Sequence, residues 1–277
     1  MNGLEALFNW MSLVKMSAAT SMVMGLSLLA EKLGPRTAGI LSGFPLGVAL
    51  TLFFVGVEQG PHFAAQSAVF TTVGLIATQS FAYAYYRGTL LLGNRSTGAN
   101  VVLSSALGVA AYFGMAWLLR RWEWTPEAAV AVALGGTAFF AHVFSKLEDT
   151  RIEKTSRLTV GAMLARGAAA ALFVVCITSF ASMVGPRWAG LFSAFPITML
   201  PFVVIMHCLY RVEHVHTILK HVPRGIASII VYALAVLICY PRCGIVMGTV
   251  VAYAGSTLYL LVLHLPNLNG GEAAEKA

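Results

Sequence analysis

Nine times along this chain, 17 to 24 residues pass with at most one charged side chain. A helix of about 20 apolar residues crosses the ~30 Å hydrocarbon core of a bilayer. The runs cover residues 7–30, 37–57, 63–86, 100–119, 128–144, 160–183, 188–209, 222–240 and 244–265. An ordinary soluble domain is about 25% charged. This chain, 58% hydrophobic and 10% charged, has too little polar surface to face water. In hydrocarbon every backbone polar group needs an internal partner, which leaves helical bundles and closed barrels. Barrel strands alternate polar and apolar residues over roughly ten positions, and these runs do not alternate. The expected fold class is an all-α integral membrane protein with about nine transmembrane helices.

The chain also repeats itself. Residues 34–45, GPRTAGILSGFP, return as 185–196, GPRWAGLFSAFP, with eight of twelve positions identical at a constant offset of 151. Duplicated units in apolar chains are characteristic of transporters built from structural repeats. The expected organisation is a first four-helix repeat in 1–122, a linker helix and loop in 123–156, a second four-helix repeat in 157–265, and a disordered tail in 266–277. Five spans separate equivalent points, and five is odd, so the two repeats are expected to have inverted topology. That expectation requires the short run 128–144 to cross the membrane.

Orientation follows from the basic residues. With the N-terminus outside, the inner loops carry twelve Lys and Arg and the outer loops four, with Lys15 and Arg166 inside spans. This bias predicts a multi-pass protein of the cell's inner (plasma) membrane, N-terminus outside and C-terminus cytoplasmic. It also accounts for the net charge of +7 without a nucleic-acid partner. The N-terminal run is too long for a signal-peptide core, and Glu5 precedes any basic residue, so it is read as a membrane helix. The four cysteines, Cys176, Cys208, Cys239 and Cys243, lack metal-site spacing and read as packing residues. No metal or cofactor is expected.

Within the motif, Gly-Pro-Arg fits a tight turn at the membrane face. Arg36 and Arg187 would sit near headgroups, as anchors or as gates. Small residues spaced by four, such as Gly39 and Gly43, let helices approach closely. Pro45 and Pro196 lie ten residues beyond Pro35 and Pro186, about 15 Å along a helix and so near the bilayer midplane. Proline removes one helical hydrogen bond and clashes with the carbonyl four residues back, here that of Leu41 or Phe192. Pro201 would add a third break, at Ile197. Interrupted helices meeting at the midplane frame substrate sites in repeat transporters. Ser42, Phe44, Pro45, Ser193, Phe195 and Pro196 are therefore candidate substrate-binding residues; a plain kink, satisfied by Ser42 or Ser193, is the simpler alternative.

The same offset pairs Lys15 with Arg166. A charge at the bilayer centre costs about 2.5–3.5 kcal/mol on insertion scales, so two matched bases suggest a cavity with positive charge from both sides. Snorkelling to the interface is the alternative. None of the eleven acids lies mid-span. That absence argues against carriers that use an intramembrane carboxylate, and it favours an anionic or zwitterionic cargo held by Lys15 and Arg166. His142 and His207 are candidate proton relays, or hydrogen-bonded packing residues.

No enzyme motif is present: no Asp-rich diphosphate motif, no HExxH and no GxSG. The second motif copy, 189–196, followed by an apolar helix and a polar turn, resembles the GlpM-like small membrane proteins of bacteria. The first copy, with Glu58-Gln59-Gly60-Pro61-His62-Phe63-Ala64-Ala65-Gln66, is similar to a group of duplicated, uncharacterised bacterial membrane proteins. The resemblance implies a fused antiparallel pair of four-span units. The leading expectation is a non-enzymatic carrier of a small anionic or zwitterionic solute, working by alternating access. Its partners would be the bilayer, the solute and a second copy in a homo-oligomer. The alternatives are a protein that binds or moves a lipid or polyprenyl phosphate, and a structural subunit without transport.

Overall fold

The structure, a computed structural model, describes residues 10, 13–18, 20, 21, 44–92, 96–147, 160–209 and 212–274. Among them there is no strand. Seven helical elements follow the N-terminal helical residues: α1 (Leu46–Gln59), α2 (Pro61–Leu92), α3 (Thr97–Leu119), α4 (Pro126–Ser145), α5 (Val160–Ser193), α6 (Met199–Leu209) and α7 (Val212–Ala274). Among the described residues, three stretches are long and apolar enough to cross a membrane: Thr97–Leu119, Pro126–Ser145 and Val212–Val262. The linker run 128–144 is thus one of the helices of membrane-crossing length. The chain is an all-helical protein with the hallmarks of a membrane protein.

Local chemistry sets the helix boundaries. Ser96 and Thr125 cap α3 and α4 by accepting from the backbone N–H groups of Ala99 and Ala128, satisfying donors that a helix leaves free. Pro126 opens α4, where a missing N–H costs nothing. Three glycines hold positive φ: Gly60 at 93°, Gly185 at 73° and Gly244 at 78°. An L side chain rarely adopts this backbone. Gly60 separates α1 from α2, and the other two bend α5 and α7.

At Gly244 the bend is a hairpin. Tyr232 and Tyr253 stack edge-on at 5.1 Å, and the Tyr240 hydroxyl meets Thr249 Oγ1 at 2.8 Å. The second arm carries the helix to Ala274.

α2 is the hub, packing against α1, α3, α4, α5 and α7. Its Leu75, Phe81 and Tyr85 are fully buried. Large apolar side chains on α3, α4 and α7 point outward, among them Val102, Phe139, Val246, Leu258 and Val262. Such a surface is costly in water and neutral in lipid.

α2 and the arm 212–243 are related by the motif offset at both ends, since Pro61 precedes Val212, and Leu92 precedes Cys243, by 151. They run antiparallel. At one end a Cβ on Gly56, beside Ala64, would lie 3.3 Å from both Tyr240 and Ile245. At the other, Tyr86 packs on His216 with ring centroids 4.9 Å apart. The first helices of the two halves also cross closely: a Cβ on Gly167 would lie 2.8 Å from Thr20, and Val14 and Ala18 pack against the cluster of Leu50, Phe54 and Ala171.

Candidate functional site

The second Phe-Pro pair interrupts a helix, the first stands at the start of one with residues 22–43 outside the described residues, and the two pairs carry matching hydrogen bonds. Pro45 is the N-cap of α1, and residues 194–198 are non-helical between α5 and α6. In the first copy Leu46 N–H donates to Phe44 O at 2.7 Å and Ala49 N–H to Pro45 O at 2.7 Å. In the second, Ile197 N–H donates to Phe195 O at 2.7 Å and Leu200 N–H to Pro196 O at 2.8 Å. The continuous span expected over 188–209 is therefore two short helices. The Phe192 carbonyl expected to be freed by Pro196 accepts instead from Phe195 N–H at 3.0 Å. Pro201 makes no third break, because it falls in the first turn of α6, where proline is tolerated.

Both Phe-Pro pairs face one cavity. Phe44, Gly47, Val48 and Thr78 line it from the first half, and residues 194–199 with Val222, Ile226 and Ile229 line it from the second. Its volume is about 30 Å³, enough for water but below the size of small-molecule pockets, so the cavity is closed around its site in this conformation. None of its lining residues is charged. Four pairs of wall residues are equivalent by the offset: Phe44 with Phe195, Gly47 with Thr198, Val48 with Met199, and Thr78 with Ile229.

The second motif copy is held tightly against α2 and α3. Thr71 Oγ1 donates to Gly190 O at 3.0 Å, Thr78 Oγ1 to Ala194 O, and the Tyr112 hydroxyl to Leu191 O. Gly190 packs so closely that a Cβ there would lie 2.1 Å from Ser67 O. Only glycine permits that approach.

Among the described residues, the other candidates lie outside this cavity. Lys15 is 2% exposed and pairs with Glu58 at the end of α1, with the Phe54 ring 5.9 Å from its ammonium. It does not line the cavity. Its charge faces a carboxylate that the span-by-span reading had set aside at a helix end. Arg166 lies in α5, but its side chain, like Arg36 and Ser42, is outside the described residues. Ser193 is buried and donates to Ala189 O at 2.7 Å, inside its own helix. Arg187 is half exposed and pairs with Glu123. His142 is exposed on α4. His207 is buried, its Nδ1 3.0 Å from the Tyr85 hydroxyl.

Thr71, Thr78, Tyr85, Thr89 and Tyr112 were not singled out in the sequence. A signal was there: Thr71, Thr72, Thr78 and Gln79 fall on one side of a helix within the run 63–86. No protein-family model, curated protein or solved structure matches this chain.

Proposed function

We propose that this chain is a membrane transporter made of two inverted four-helix repeats, with a small solute binding in the cavity between the two Phe-Pro pairs. One observation carries this reading: Phe44 from the first copy and Phe195 and Pro196 from the second line a single cavity. The antiparallel pairing of α2 with 212–243, elements related by the motif offset, supports inversion independently of any span count. The nine spans, the N-out and C-in orientation and the origin in a fused GlpM-like pair belong to the same proposal. The two halves rock about this cavity, exposing it to each face in turn.

The wall narrows the cargo. Lys15 is engaged by Glu58, and the cavity wall is apolar apart from Thr198 and Thr78, whose hydrogen goes to Ala194 O. Such a wall suits the apolar part of a neutral or zwitterionic solute better than a bare anion. Uptake of a panel of radiolabelled betaines, neutral amino acids and short-chain acids into proteoliposomes tests the reading. Val48→Trp or Ile226→Trp fills the cavity, and uptake seen with the wild type is expected to be lost. Uptake unchanged in both variants would remove the cavity from the mechanism.

A second reading, lipid movement, has an observation of its own. Arg120 lies over Trp188 at 5.1 Å, Arg121 over Trp117 at 3.7 Å, and Arg187 stands beside Glu123 at the same end. Arginines with tryptophans suit a headgroup zone. Scrambling of a fluorescent phospholipid in the same vesicles, with no solute uptake, favours this reading.

A further inference from the structure

Opposite the Arg120 end of α2, a polar cluster joins the two halves. Tyr85 meets His207 at 3.0 Å, and Thr89 Oγ1 meets His216 Nε2 at 2.8 Å. Asn100 donates to Thr89 O at 3.1 Å and accepts from Ser104 at 3.0 Å. Tyr85, Thr89, Asn100, Ser104 and His207 are all buried. A buried polar network between apolar helices is costly unless satisfied, and both imidazole bonds run from α2 to the second half of the chain. On α2 the cluster lies about two helical turns beyond Thr78, the cavity residue, or roughly 10 Å.

We propose that these two hydroxyl–imidazole contacts form a proton-operated latch that closes one end of the cavity, an inference resting on the alternating-access reading above. The hydrogen positions follow from the partners. Thr89 gives its hydrogen to Tyr86 O at 2.6 Å, so His216 Nε2 donates to Thr89. That bond survives whether His216 is neutral or charged. His207 is different. With Nδ1 as acceptor it takes the Tyr85 hydrogen; once protonated, it presents N–H to a hydroxyl that is itself donating. Ser105 Oγ, buried beside Tyr85 and otherwise unbonded, is the acceptor to which the Tyr85 hydrogen can turn.

The surrounding charges assign the roles. α2 brings Tyr85 and Tyr86, with Arg87 exposed; α3 brings only uncharged groups; α6 brings Cys208 beside His207. On α7, Glu213 lies one turn before His216 and Lys220 one turn after. Glu213 and His207 both act on His216 electrostatically. Glu213 supports a charge on His216, whereas no carboxylate faces His207 from α2, α3 or α6 among the described residues. A proton on His207 is therefore buried among uncharged groups of α2, α3 and α6, and beside His216 of α7, while the latch is closed, and meets water once it opens. Acid favours the open end, by at most about tenfold per pH unit for one proton.

The test is hydrogen–deuterium exchange of the intact protein in lipid nanodiscs, between about pH 7.5 and pH 5.5, on either side of the ordinary histidine range. After correction for intrinsic exchange, peptides over 85–92 and 212–221 should exchange faster in acid in the wild type. In His207→Gln, which keeps an acceptor for Tyr85, the pH response should vanish. In Ser105→Ala, which removes the acceptor that lets the closed latch accommodate a protonated His207, opening should begin at a higher pH. A wild type without pH response, or a response unchanged in His207→Gln, overturns the latch. Either failure leaves the cavity reading standing, because that is decided by solute uptake in the tryptophan variants.

Discussion

The Phe-Pro segments of the two copies carry the same backbone hydrogen bonds, yet the polar support around them differs. Thr71, Thr78 and Tyr112 hold three carbonyls of the second copy. The residues 151 further on are Val222, Ile229 and Leu263, none able to donate a side-chain hydrogen bond. The bases differ in the same manner. Lys15 has Glu58 as its partner, whereas the position equivalent to Glu58 in the second half is Leu209. Proline geometry is thus shared by the halves, while side-chain hydrogen bonds are specialised. In a rocking pair this makes α2, α3 and the second motif copy one firmly bonded wall.

Glu58→Leu should produce the largest effect on this asymmetry, since it gives the first half the residue of the second. It removes the carboxylate from a buried ammonium, a loss of about 3 kcal/mol, at the low end for buried pairs because Glu58 is partly exposed. Lys15→Met combined with Glu58→Leu should recover most of that loss. Thermal unfolding of the purified variants checks both. If the single variant is as stable as the wild type, the pair is not what keeps Lys15 in the core.

The hydroxyl contacts should matter less. Thr78→Val and Tyr112→Phe are each expected to lose about 0.6–1.7 kcal/mol, the range for hydrogen bonds inside membrane proteins. Val222→Thr should change stability by less than about 0.5 kcal/mol, because its hydroxyl can bond a carbonyl of its own helix. Equal effects in the two halves, read from the same unfolding curves, would erase the proposed specialisation.

What could be read in the sequence was local chemistry. Proline disfavours a helix interior, so the interruption at Pro196 was legible, as was the turn at Gly185, although Pro223 lies within the arm 212–243 without breaking it. The apolar runs announced helices for the same reason, although Pro201 shows that position within a helix decides whether proline breaks it. Long-range pairings were hidden. Lys15 reads as a cargo ligand until α1 brings Glu58 against it, and nothing in the spacing of the two residues announces that contact. The Tyr85–His207 pair was hidden because an apolar helix gives little sign of which face turns inward. The asymmetry at Thr71, Thr78 and Tyr112 was visible by comparing residues at the offset, but its meaning required knowing that those hydroxyls face the motif.

Inversion of the two halves is the central claim, and labelling from each side of the membrane tests it most directly. In a variant with the four native cysteines replaced by alanine, Arg36→Cys and Arg187→Cys are introduced separately and exposed to a membrane-impermeant maleimide in sealed vesicles of known orientation. The account predicts opposite faces: Arg36→Cys labels from the cytoplasmic side and Arg187→Cys from the outside. Labelling of both from the same face would make the repeats parallel and contradict the account.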